Sequence, residues 1–152
     1  MKTLYTDASF DHNSTEKTTD IFVRGKIGIA DGISFERIEK VVIGKVPLLK
    51  QYINILELTA VARAVELACD MKEYDGSLAI YTDSMVAKIW ASNGIENKKV
   101  CTIAHENAIE YLRQARIKFG GVVSFHHILR DKNPAGKLLE AELEAGNKPH
   151  DL

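Results

Sequence analysis

Residues 2–10, KTLYTDASF, set the frame for reading the rest of the chain. Threonine, tyrosine and phenylalanine suit an extended, half-buried strand. The strand carries Asp7 at or near its end, and Asp11, His12, Asn13 and Ser14 follow as a polar turn. Working outward, residues 21–30 (IFVRGKIGIA) and 35–46 (FERIEKVVIGKV) read as two more strands, with Asp31-Gly32 as a hairpin-like break. Residues 54–71 read as a helix: Ile55, Leu58, Ala62, Val65 and Cys69 recur at helical spacing. Val61, Ala64 and Ala68 make its flank apolar too, so this helix should be largely buried.

A short strand, 77–82 (SLAIYT), comes next, and a short helix starts near Ser84 with Val86, Ile89 and Trp90 on one side. Residues 100–117 form the clearest amphipathic pattern, with Val100, Ile103, Ala104, Asn107, Ala108, Tyr111, Leu112 and Ala115 sharing a face. Gly120-Gly121 breaks it, and residues 122–129 (VVSFHHIL) read as the last strand. Asn133-Pro134 opens a final helix to about Ala145, with Ala135, Leu138, Leu139 and Leu143 toward the core. Gly146 closes it. The order is β-β-β-α-β-α-α-β-α, which predicts an α/β fold: a five-stranded mixed sheet flanked by helices on both faces. Residues 1–146 make a single domain, and 147–152 a tail.

The composition agrees with a soluble globular protein of 152 residues, 45% hydrophobic and 27% charged. No apolar run approaches the roughly 20 residues that cross a bilayer, and MKTLYTDASF lacks a signal-peptide core, so a cytoplasmic protein without membrane contact is expected. Cys69 and Cys101 lack metal-binding or redox spacing and read as buried or half-buried thiols. The net charge of −1 is neutral on nucleic-acid binding. Basic residues nevertheless cluster at Arg24/Lys26, Lys40/Lys45/Lys50, Lys98/Lys99, Arg113/Arg116/Lys118 and Arg130/Lys132/Lys137.

Three acids stand out by position. Asp7 lies within Tyr5-Thr6-Asp7-Ala8-Ser9, Asp83 within Tyr81-Thr82-Asp83-Ser84, and Glu57 one turn into the apolar helix. Read alone, Asp83 is a helix N-cap and Asp7 a turn residue. Together, two aspartates at strand ends and a glutamate on the adjoining helix suit one or two shared divalent cations. A carboxylate at the edge of a core is costly unless something pairs with it. Oxygen ligands without cysteine or histidine favour Mg²⁺ or Mn²⁺ over zinc, and two such ions activate water and stabilise a leaving oxygen in phosphodiester cleavage.

These segments resemble type 1 ribonuclease H. Tyr5–Ser9 looks like its first-strand motif, Asn54-Ile55-Leu56-Glu57-Leu58-Thr59-Ala60 like its Asn-x-x-Glu-x-x-Ala helix start, and Tyr81–Ser84 like its Thr-Asp-Ser. The element order is that family's order. The resemblance implies a ribonuclease H-like fold, with Asp7, Glu57 and Asp83 as catalytic metal ligands. It implies nucleic-acid contacts at Ser9, Asn54, Ser84, Arg130 and Asn133. It further implies a monomeric endonuclease that cuts the RNA strand of an RNA–DNA hybrid, leaving 5′-phosphate and 3′-hydroxyl ends, with two Mg²⁺ ions once substrate is bound.

The pattern departs from that family after the last strand. The family's fourth acid falls on Lys137, or on Gly136 if the motif is one residue shorter, and neither binds metal. Glu140, one turn further along the helix, is the expected stand-in as fourth ligand, with Asp131 as the alternative. Ala8 replaces a glycine. Only residues 93–99 separate the middle helices, so the basic insertion of longer family members is absent. His126 and His127 fall inside a strand and read as structural; His12, His105 and His150 have no partner at a telling spacing. Two rivals stay open: a DNA or junction nuclease on the same fold, and a non-catalytic module that binds nucleic acid or protein.

Overall fold

A computed structural model of the chain describes residues 2–10, 20–47, 52–71, 76–96 and 101–147. The elements are β1 (Lys2–Phe10), β2 (Asp20–Ala30), β3 (Glu36–Pro47), α1 (Tyr52–Ala68) and β4 (Ser77–Thr82). After them come α2 (Met85–Asn93), α3 (Ile103–Phe119), β5 (Val122–His127) and α4 (Pro134–Asn147), with a 3₁₀ turn at Arg130–Lys132. The expected order holds. The polar turn at 11–14, Lys50, Lys98, Lys99, Val100 and residues 148–152 lie outside the described residues.

The sheet runs β3-β2-β1-β4-β5. β1, β2 and β3 are antiparallel neighbours, while β4 is parallel to β1 and β5 to β4. Asp31 makes the β2–β3 turn: its Oδ1 accepts from the backbone N–H groups of Ile33, Ser34 and Phe35 at 2.8–2.9 Å. Gly32 supplies the left-handed φ of 79° that a side chain would resist.

Alternation along the strands sorts residues between two faces. Leu4, Ile27, Ile29, Leu78 and Ile80 pack against Ile55, Leu58, Val61 and Val65 of α1 in the main core. α1 is therefore apolar nearly all round, as its sequence predicts. Gly28 faces the other way, onto α4. A Cβ there would lie 3.0 Å from both the Ala135 carbonyl and Leu139 Cγ, so the close seating of α4 requires glycine.

Two helix faces differ from expectation. On α3 the buried residues are His105, Ala108, Leu112, Ala115 and Phe119, while Asn107 is exposed and Ile103 is 76% exposed. Thr102 is the N-cap of the helix, and a capping box turns His105 inward: Thr102 N–H donates to His105 Nδ1 at 3.1 Å. The His105 ring then packs edge-on against Trp90 at 5.4 Å. On α4, Ala135 and Leu139 are buried, but Leu143 has reached the rim of an open groove and is 62% exposed. Cys69 and Cys101 are both half-buried free thiols. Among the described residues, no helix is long and apolar enough to cross a membrane.

Candidate metal centre

Two parallel strands bring the same tripeptide into register. Tyr5 pairs with Tyr81 and Thr6 with Thr82, so Asp7 and Asp83 follow at equivalent positions on strands about 4.8 Å apart. The tyrosine rings stack at 5.3 Å, and Tyr81 stacks in turn on His126 at 4.9 Å. Thr6 and Thr82, both buried, lock the pair. Thr6 Oγ1 donates to the Tyr81 carbonyl at 3.2 Å, and Thr82 Oγ1 accepts from Ser84 N–H at 3.1 Å. Sequence reading passed over these threonines; their repeated place before each aspartate is the signal that marks them.

Glu57, 6% exposed on α1, completes the group. Asp7, Glu57 and Asp83 each offer a carboxylate oxygen within 4.8 Å of the others. Such crowding is reflected in the acidity of Asp7 and Glu57. Burial first, and the Asp83 carboxylate second, push Asp7 up to about 6. Burial, then Asp7 and Asp83, hold Glu57 well above the ordinary glutamate range. Glu57 Oε2 is buried with no hydrogen-bond partner among the described residues. An orphaned oxygen between two further carboxylates fits a hard divalent cation, whose charge would relieve the repulsion and take up the free lone pairs.

The remaining site residues take other roles. Ser84 caps α2 by accepting from Ala87 N–H at 3.1 Å, so the cap falls on Ser84 and Asp83 is left free for the cluster. Asn133 is fully buried. Its amide donates to the Thr6 carbonyl at 2.9 Å and to Asp83 Oδ2 at 3.4 Å, and its Oδ1 accepts from Ala135 N–H at 3.1 Å. Its side chain is thus turned into the fold, a strut that aims Asp83 and starts α4. Arg130 is exposed, and its charge draws Asp7 downward. Asn54 is half-buried on the first turn of α1, and Ser9 lines a groove beside β1.

Glu140 and Asp131 are exposed and do not belong to the three-acid group. The place beside Asp7 is taken by Gly136: a Cβ there would lie 3.1 Å from Asp7 Oδ2. Helix α4 thus presents a glycine, and its positive N-terminal end, to the cluster.

No protein-family profile and no curated protein sequence matches the chain. Solved structures do. The chain is similar to LC11-RNase H1 in complex with an RNA/DNA hybrid, with a TM-score of 0.62 and 19% identity over 95% of this chain and 99% of that one. It is similar to RNase H1 of the halophilic archaeon Halobacterium salinarum, with a TM-score of 0.59 and 16% identity over 94% and 97%. The N-terminal RNase H domain of a Mycobacterium tuberculosis protein matches with a TM-score of 0.57 and 12% identity over 90% and 95%. With its five-stranded mixed sheet and four helices, the chain has the ribonuclease H-like fold.

Proposed function

We propose that this protein is a divalent-metal-dependent endonuclease that hydrolyses the RNA strand of RNA–DNA hybrids, leaving 5′-phosphate and 3′-hydroxyl ends. The convergence of Asp7, Glu57 and Asp83 carries this reading, because three acids from distant parts of the chain are held together at a cost that a divalent cation would offset. The fold and the hybrid complex of a structural neighbour support the choice of substrate.

Asp7, Glu57 and Asp83 would hold Mg²⁺ or Mn²⁺. A divalent ion there supplies an activated water and charge stabilisation for the leaving oxygen. Thr6, Thr82 and Asn133 hold the two aspartates at fixed positions, so that little reorganisation accompanies the reaction. Arg130, exposed beside Asp7, attracts the phosphodiester to the site. The test is a gel assay on labelled RNA–DNA hybrid, double-stranded RNA and branched DNA, with Mg²⁺, Mn²⁺ and EDTA lanes and Asp7→Asn as comparison. Metal-dependent cleavage of the hybrid RNA strand, lost in Asp7→Asn, is expected; preference for branched DNA, or cleavage retained by Asp7→Asn, refutes the proposal.

One observation favours a second reading, a binding module on the same fold: the place next to Asp7 holds Gly136 and no fourth acid. Calorimetry separates the two, since a binding module need take up no Mg²⁺ at Asp7 and Asp83.

A further inference from the structure

Ser9, Lys26 and Lys40 form one row across β1, β2 and β3, as directly opposed partners. Ser9 lies two residues beyond Asp7 on the same strand face, about 7 Å along it. The row forms one wall of a groove of about 630 Å³, with Arg24 on β2 and Leu139 and Leu143 on α4. Lysines placed directly opposite each other repel, and this pair is only half compensated. Lys26 Nζ meets Glu142 Oε1 at 3.3 Å, whereas Lys40 has no ion pair among the described residues. Glu142 keeps its second oxygen buried and without a hydrogen-bond partner among the described residues.

We propose that this groove binds the phosphodiester backbone of the substrate strand next to the metal site, with Lys26 and Lys40 as phosphate contacts and Glu142 as the acid the phosphate must displace. The inference rests on the nuclease reading above, and it adds residues that neither the motifs nor the acid cluster supply. A phosphate between the lysines removes their repulsion, and the hydroxyl of Ser9 lies at the end of the row nearest the acids. Leu139 and Leu143 give the opposite wall an apolar surface suited to sugars. Glu142 is a built-in competitor: it occupies Lys26 when no phosphate is present.

Fluorescence anisotropy with a short labelled RNA–DNA hybrid, in Ca²⁺ buffer at several salt concentrations, tests this on the intact chain. Lys40→Gln should weaken binding several-fold and lower the slope of log affinity against log salt by about 0.7–0.9, the loss of one phosphate contact. Glu142→Gln should tighten binding several-fold, whereas a merely structural Glu142 would weaken it or change nothing. Lys118→Gln, exposed on α3, should match the parent chain. In steady-state cleavage the Lys40→Gln effect should fall on KM and leave kcat near the parent value. Parent-like affinity and salt slope in Lys40→Gln, with the parent chain binding hybrid well, overturn the groove and leave the metal-site reading intact. No hybrid binding by the parent chain overturns both. Lys40-dependent binding of poly-glutamate in preference to hybrid also overturns the proposal, because the groove would then serve an acidic protein segment.

Discussion

Replacing Asp7 by asparagine should stabilise the metal-free protein while it ends hydrolysis. Burial and the neighbouring carboxylate raise this acid from 3.8 to about 6. At about 1.36 kcal/mol per pH unit, the ionised form destabilises the fold by at most about 3 kcal/mol. Asp7 is only partly buried, so water and salt screen some of this, and about 1–3 kcal/mol is the expected range. The native state has the raised pKa, so it holds more protons than the unfolded chain between pH 3.8 and about 6. Stability from this group is therefore full below pH 3.8, falls as pH rises through about 6, and stays low at pH 7.5. Asparagine carries no charge to lose. In EDTA at pH 7.5 the variant should melt roughly 2–12 °C above the parent chain, given about 2–4 °C per kcal/mol for a domain of this length. At pH 4 the difference should vanish. Mg²⁺ should raise the melting temperature of the parent chain by mass action and leave that of the variant nearly unchanged. Differential scanning fluorimetry across pH and Mg²⁺ reads all of this. A variant that melts at or below the parent in EDTA at pH 7.5, or gains as much from Mg²⁺, refutes the reasoning.

Further substitutions examine the same site from other sides. Gly136→Asp should place a fourth carboxylate against Asp7, since its Cβ falls 3.1 Å from Oδ2. Calorimetry should show Mn²⁺ binding about tenfold tighter, roughly 1.4 kcal/mol, with a lower melting temperature in EDTA. Glu140→Gln should leave both Mg²⁺ stabilisation and hybrid cleavage at parent levels, because Glu140 is exposed outside the acid group; a large loss in the gel assay would return it to the site. Asn133→Ala removes the α4 cap and leaves the Thr6 carbonyl without its buried donor, so urea denaturation should show a loss of about 2–4 kcal/mol.

Much of the fold was legible because its signals are local. The Asp31-Gly32 turn, the Asn133-Pro134 start and the apolar 54–71 segment each state their role within a few residues. The face of α3 was not legible in the same way. Its pattern from Val100 onward is consistent with a helix, but the face it buries turns on His105, which the Thr102 capping box aims inward and which packs against Trp90 from another element. Leu143 likewise has helical spacing for the core, yet it lines the open groove between α4 and the sheet and is exposed. Periodicity tells which residues share a face; the neighbour decides how far along the helix that face is covered.

At the site, the three acids could be picked out because each sits where burial makes a carboxylate expensive: a strand end or an apolar helix. The fourth position gave no such sign, since glycine carries no charge and linear spacing left Gly136 and Lys137 equally eligible. The register of α4 settles it. Once the Asn133 side chain accepts from Ala135 N–H and the Asn133 carbonyl from Lys137 N–H, the first turn is fixed and residue 136 faces Asp7. In place of another negative charge, the helix offers its positive end and the Asn133 amide on Asp83, and the turn before it adds the charge of Arg130, which lowers the pKa of Asp7. Three acids with neutral and positive groups on the fourth side repel one another less than four acids would. The cluster can thus be held together without metal, with burial and the two aspartates holding Glu57 well above the ordinary glutamate range. It also follows that the cation needed to neutralise the site is fewer charges away, and that a phosphate meets a less negative approach from the Arg130 side.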